Sequence, residues 1–196
     1  MKIISACVNA VFAGIMISIG AVTYLNCPNR IFGSVLFAIG LIVIMEFEFS
    51  LYTGKVGFAR KLKDVLRLLF VLLMNAVGCS FIFLLPTNDC TNAWDARLDC
   101  PLYAVFAKAI VCGILIYMCV HQHKTKSREV SIMTTLVAIP AFILCGAEHS
   151  IADICFMFAA RKITLEGVAF IAIVAIGNAV GSLALSLWTS RKNELH

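Results

Sequence analysis

The apolar residues of this chain fall into blocks too long and too uniform for a water-soluble fold. They run roughly 3–25, 31–54, 65–86, 102–120, 130–160 and 164–189 of 196 residues. One helical crossing of a bilayer needs about 20 such residues, so the chain holds six crossings with short connections. No length remains for a soluble catalytic domain. Composition agrees, with 61% apolar and 14% charged residues, against about 45–50% and about 25% in soluble domains. A membrane β-barrel is excluded because its strands alternate apolar and polar residues, whereas these blocks are apolar on every side. The reading is an all-α integral membrane protein, a single transmembrane domain over 1–196.

The net charge of +5 would raise nucleic acid as a partner in a soluble protein. Here its distribution points to the lipid bilayer instead, because cytoplasmic loops of membrane proteins collect Lys and Arg. With the N-terminus inside, eleven basic residues fall on inner segments, among them Lys2, Lys55, Arg60, Lys61, Lys63, Arg67, Lys124 and Lys192. Four fall on outer loops (Arg30, Arg97, Arg161 and Lys162), and Lys108 lies within the fourth block. A multi-pass protein of the cell (inner or plasma) membrane with both termini cytoplasmic follows. Val22-Thr23-Tyr24 is a poor cleavage site, so the first block reads as a crossing rather than a removed leader. Most of the nine cysteines sit inside apolar blocks as small hydrophobes. Cys90 and Cys100 share the third loop, and the sequence leaves open whether they pair. There is no CxxC or Cys/His metal pattern, and no cofactor is expected.

Two blocks are too long. Residues 31–63 and 130–160 would each make a helix of more than about 45 Å, against a hydrocarbon core of about 30 Å. Each also carries polar residues near its middle, Glu46 to Lys55 in one and Gly146 to Asp153 in the other. Unpaired ionisable groups in hydrocarbon are costly and mark a pathway or a packed polar junction. A broken second and a broken fifth helix explain length and polarity together, since irregular backbone at that depth needs protein or a water-filled cavity around it.

The chain also echoes itself. Asn75-Ala76-Val77-Gly78 recurs as Asn178-Ala179-Val180-Gly181 at an offset of 103, and Glu48-Phe49-Ser50-Leu51 as Glu148-His149-Ser150-Ile151 at an offset of 100. Two echoes near half the chain length indicate a duplicated three-span unit, with halves of about 1–95 and 96–196. An odd number of spans turns the halves over relative to each other, giving an inverted 3+3 repeat with its conduction site near the midplane. Gly78 and Gly181 are expected to let helices approach closely.

These motifs resemble the formate/nitrite transporter family. Gly146-Ala147-Glu148-His149-Ser150-Ile151-Ala152-Asp153 resembles its G-x-E-H-S-x-A-N signature, and Leu51-Tyr52-Thr53-Gly54-Lys55 its L-F-T-G-N loop. Gly177-Asn178-Ala179-Val180-Gly181 is similar to its G-N-x-x-G in the last helix, with Asn75 to Gly78 as the third-helix counterpart. Arg97 with Pro101 resembles its K-x-x-x-P. The matches run in order over nearly the whole chain. The resemblance implies an aquaporin-like fold of six spans per protomer, a homo-oligomer built as a pentamer, and small monovalent anions such as formate, nitrite or hydrosulfide as substrate. It implies His149 as the central pore histidine, Thr53 as its partner, and Arg97 in the place of an outer-vestibule lysine. Lys108 sits where many members carry a basic residue.

The departures bear on the substrate. Asp153 stands for the signature's last asparagine, Lys55 for the loop's asparagine, Ser50 for an acidic residue, and Gly113 for an asparagine usual in the fourth helix. Glu48 and Asp153 add negative charge near an anion path. Removing an anion's charge by protonation would avoid most of its desolvation cost, and a histidine titrates in the useful range. The expected pathway therefore comprises His149, Thr53, Arg97, Glu48, Lys108 and Asp153. Glu148, Ser150, Gly54, Asn75, Gly78, Asn178 and Gly181 are expected to hold the helix breaks and pack the helices, with Glu148 capping or bonding freed backbone groups rather than contacting the anion. Arg97 has an alternative as an ordinary loop charge paired with Asp95 or Asp99. Three other functions remain: a pore of this fold for a cation or neutral solute, a membrane enzyme using Cys145, His149 and Asp153, and a structural protein with a closed pore.

Overall fold

The computed structural model describes residues 2–194, and the side chains of Lys2 and Lys192, both counted in the charge asymmetry, lie outside the described residues. Nine α-helices run in order among them: α1 (Lys2–Asn26), α2 (Arg30–Glu46), α3 (Tyr52–Val56), α4 (Leu62–Cys79), α5 (Thr91–Leu98), α6 (Leu102–Thr125), α7 (Arg128–Leu144), α8 (Ser150–Ala159) and α9 (Leu165–Glu194). A 3-10 turn, Ser80–Leu84, extends α4. Four helical stretches are long and apolar enough to cross a membrane: Ile3–Asn26, Leu62–Leu84, Leu102–Thr125 and Leu165–Arg191. Their outer faces are apolar too. Leu62, Leu66, Leu69, Leu73 and Val77 form an exposed stripe along α4, a patch that suits lipid or a neighbouring chain and not water.

Both over-long blocks are interrupted. The first splits into α2 and the five-residue α3, the second into α7 and α8. α1 packs on α4 and α2, α6 packs likewise on α9 and α7, and α2 meets α7. The two short helices fill the centre: α3 touches α4, α6 and α9, and α8 touches α1, α4 and α9. Residues Ser150 to Met157 of α8 are all buried, which its unbroken apolar sequence around one aspartate requires.

The two interruptions are built alike. Each leaves its helix through a residue in the left-handed region, Glu48 at φ 55° and Gly146 at φ 72°. One asparagine then ties the freed backbone. Asn75 Nδ2 donates to the carbonyls of Ala10 and Ser50, and its Oδ1 accepts from Tyr52 N–H at 2.9 Å. Asn178 Nδ2 donates to Ala109 and Glu148, and its Oδ1 accepts from Ser150 N–H at 3.0 Å. Both asparagines are fully buried, and unpaired backbone at that depth would cost more than the amide does.

Glycines let the tied helices touch. A Cβ at Gly78 would overlap the Val11 carbonyl, and one at Gly181 the Ile110 carbonyl. Gly113 sits against the Asn178 carbonyl in the same way, so α6 has no space for a larger side chain at this crossing. The correspondence also corrects one expectation. The asparagine bonds pair Ser50 with Glu148 and Tyr52 with Ser150, an offset of 98, not the 100 of the Glu48/Glu148 echo. That echo is therefore out of register by two residues, and the structural counterpart of Glu48 is Gly146.

The third loop, expected as a plain connection, contains α5. Asp89 Oδ1 accepts from Thr91 N–H at 2.8 Å at its start, and Pro101 follows its end. Cys90 and Cys100, left open in the sequence, are free thiols.

Candidate functional site

The interrupted helices meet at His149. It is the N-cap of α8, and its ring Nδ1 accepts from Ala152 N–H at 3.0 Å. A nitrogen that accepts a hydrogen bond carries a lone pair, so the neutral ring bears its hydrogen on Nε2. That N–H donates to Thr53 Oγ1 at 2.8 Å, which leaves the Thr53 hydroxyl hydrogen to donate elsewhere. Both residues are buried, and Phe142 lies over the imidazole with centroids 6.1 Å apart. The cap holds the imidazole in one tautomer, since an N–H at Nδ1 would point at the Ala152 N–H.

Cavities lie on both sides of this pair. One, of about 70 Å³, is lined by His149, Glu148, Asp153, Arg97, Arg30 and Phe142 among others. A larger space of about 300 Å³ beside α5 shares Arg30 and Arg97 as wall residues with it and has Trp94 in its wall. On the opposite side a cavity of about 290 Å³ is lined by Leu41, Gly54, Val120, Glu48, Lys55, His123 and Lys124, together with further α2 residues.

Arg97 organises the first side. Its Nε reaches Glu148 Oε2 at 3.3 Å and Asp153 Oδ1 at 3.8 Å, and its Nη1 donates to the Ala93 carbonyl at 2.9 Å. The guanidinium stacks over Phe156, 4.6 Å from the ring centroid. The Asp95 pairing expected as an alternative does not occur, because Lys162 Nζ takes both Asp95 oxygens, at 2.8 and 2.6 Å. Glu148 has two parts here: its main-chain carbonyl is held at the helix break by Asn178, while its carboxylate turns into the chamber toward Arg97. Arg30, Trp94 and α5 were not singled out from sequence. The turn of Asp89 and Thr91 ahead of Pro101 was the available signal for the helix.

The remaining candidates lie elsewhere. Glu48 is exposed at the wall of the Glu48–Lys124 cavity, and Gly54 lines that cavity. Lys108 is not brought to the cluster: its Nζ donates to Cys100 Sγ at 3.6 Å, and it lines none of these cavities. Ser150 offers its N–H to Asn178, and its buried Oγ has no partner among the described residues. Asn75, Gly78, Asn178 and Gly181 hold the crossings described above. Among the described residues no group of three His, Cys, Asp or Glu side chains converges as metal ligands, and Cys145 is exposed.

A multi-pass helical membrane protein whose two broken helices meet at a buried polar pair, with space on either side, has the build of a channel. The sequence model of the formate/nitrite transporter family matches residues 1–190. The chain belongs to that family. Two solved structures share the fold. One, described as a pentameric formate channel with formate bound, superposes with a TM-score of 0.81 at 20% identity, covering 98% of this chain and 97% of that one. The other, described as an FNT family ion channel, gives a TM-score of 0.80 at 22% identity, covering 95% of this chain and 90% of that one. None of the curated proteins matches.

Proposed function

We propose that this protein is a channel for small monovalent anions or their conjugate acids, with formate, nitrite and hydrosulfide as the substrate class. The observation that carries the reading is the 2.8 Å hydrogen bond between Thr53 and His149, which joins the two interruptions between cavities on either side. Anions collect at the arginine chamber and pass the Phe142 constriction. They meet the Thr53 hydroxyl and His149, then leave through the Glu48 cavity. A bare anion would face a large desolvation cost between the chambers. The Thr53 hydroxyl offsets part of it for the anion that crosses charged, and a proton taken up from solution removes it for the fraction that crosses as the neutral acid.

The same reading has the four long helices and the two interrupted pairs make six crossings, arranged as an aquaporin-like inverted repeat. The matching asparagine ties of Asn75 and Asn178 support it. The charge asymmetry supports cytoplasmic termini in a plasma or inner membrane. A homopentamer accounts for the exposed apolar stripe of α4, and the pentameric neighbour favours that number. Uptake of formate into proteoliposomes by His149→Asn and His149→Phe tests the pathway. Expected is a loss of at least about tenfold in the Phe variant, equivalent to about 1.4 kcal/mol at the barrier. Unchanged flux in both variants would sink it.

A second reading, a pore that passes a cation, is favoured by one feature: two carboxyls, Glu148 and Asp153, face the single Arg97 guanidinium. The sign of the reversal potential in a salt gradient separates the two.

A further inference from the structure

The two carboxyls of the arginine chamber have one guanidinium, that of Arg97, as their ion-pair partner. Glu148 and Asp153 are 5% and 1% exposed, and both carboxyls lie within 4 Å of one guanidinium nitrogen. Arg97 offers both of them the same Nε, at 3.3 and 3.8 Å, while its Nη1 is spent on Ala93. Asp153 Oδ2 has no partner among the described residues, although the side chain is buried and lines the chamber.

The other groups around Asp153 do not supply the missing donor. His149 is engaged by Ala152 and Thr53. Arg30, at the start of α2, lines the chamber from its exposed side and forms no ion pair with either carboxyl. Tyr24 of α1 lines the wall, and Cys155 of α8 and Cys112 of α6 are buried free thiols that form no hydrogen bond to either carboxyl. Two buried carboxylates beside one guanidinium nitrogen repel each other, and a single proton on the pair relieves that repulsion.

We infer that Glu148 and Asp153 share one proton beneath Arg97, and that this proton is what admits an anion to the chamber. With it, the pair presents one carboxylate to Arg97, and the charge of Arg30 in the chamber wall is left to attract an anion. Without it, a second negative charge stands in a volume of about 70 Å³ directly before His149, and an entering anion is repelled. Asp153, the aspartate that replaces the family's asparagine, is thus the residue that makes entry depend on pH. The inference rests on the anion-channel reading above.

The test compares formate uptake by wild-type and Asp153→Asn proteoliposomes, with equal pH on both sides, from about pH 5 to about pH 9. The driving force cancels in the ratio of variant to wild type. That ratio is expected to rise at least about tenfold toward the alkaline end, because only the wild type gains a charge. A ratio that stays flat overturns the inference. Infrared difference spectra of the same samples read the proton itself. A protonated carboxylic acid band is expected in the wild type at neutral pH and is expected to vanish in both Asp153→Asn and Glu148→Gln, each of which leaves one ionised carboxylate under Arg97. A band missing from the wild type, or persisting in either variant, also overturns it. If Asp153→Asn fails to assemble, Glu148→Gln is expected to show the same rise in the flux ratio. A wild type without formate flux at any pH defeats the channel reading instead, and the infrared band still decides the shared proton.

Discussion

The two helix interruptions share a scaffold and differ in chemistry. Each has a left-handed residue two positions past the helix end, one buried asparagine tying three backbone groups, and a glycine that lets two long helices touch. The first then delivers Thr53 toward the centre and leaves Glu48, with Lys55, at a basic cavity. The second delivers His149 to the centre and Glu148 and Asp153 to an arginine chamber. Backbone satisfaction is thus handled by residues that face away from the cavities. The positions facing the cavities are free to differ, and there the ionisable groups accumulate.

The largest effects should come from the shared scaffold. Asn75→Ala and Asn178→Ala each strand one carbonyl and one N–H at a helix break and remove a tie to a neighbouring helix. Each is expected to cost about 3 kcal/mol or more, read as loss of assembled protein or a lowered Tm in detergent. Equal losses sustain the equivalence of the two interruptions, and tolerance of one variant alone would break it.

The central pair comes next. Thr53→Val removes the acceptor of the His149 Nε2–H while keeping the side chain's shape. Formate flux is expected to fall about tenfold with little change in Tm. If Tm collapses while residual flux is normal, the hydroxyl serves packing rather than passage.

Smaller, and opposite in sign, are the two left-handed positions. Gly146 has open space around its Cα, so Gly146→Ala carries only the conformational cost, about 1–2 kcal/mol. Glu48→Gly removes the same kind of strain and is expected to stabilise by about 1 kcal/mol. Thermal unfolding of both variants sharpens the comparison, and matching signs would contradict it. The smallest effect is expected for Lys162→Ala. Its bridge to Asp95 is 40% and 43% exposed, and such pairs contribute less than about 1 kcal/mol. Its Tm should stay within a few degrees of the wild type.

The interruptions were legible because length and polarity disagree with a continuous crossing at the same places. The glycine contacts were legible from small residues repeated at helical spacing. Their register was not. The Glu48 and Glu148 echo misleads by two residues, because identical letters say nothing about which backbone atoms an asparagine will hold. α5 was hidden because it is short and lacks an apolar period. The arginine chamber was hidden for another reason. Arg97 meets Glu148 across 51 positions of sequence, and nothing local to either residue announces the other. Asp95, one of the two neighbours the sequence offered Arg97 as an alternative partner, is held by Lys162 instead.

The anion path through the arginine chamber is tested most directly by the reversal potential of the wild-type protein in a planar bilayer under a sodium formate gradient, at mildly acidic pH. A potential near that of formate, diminished in His149→Phe, is the expected result. A potential near that of sodium, or a conductance indifferent to His149, would contradict it.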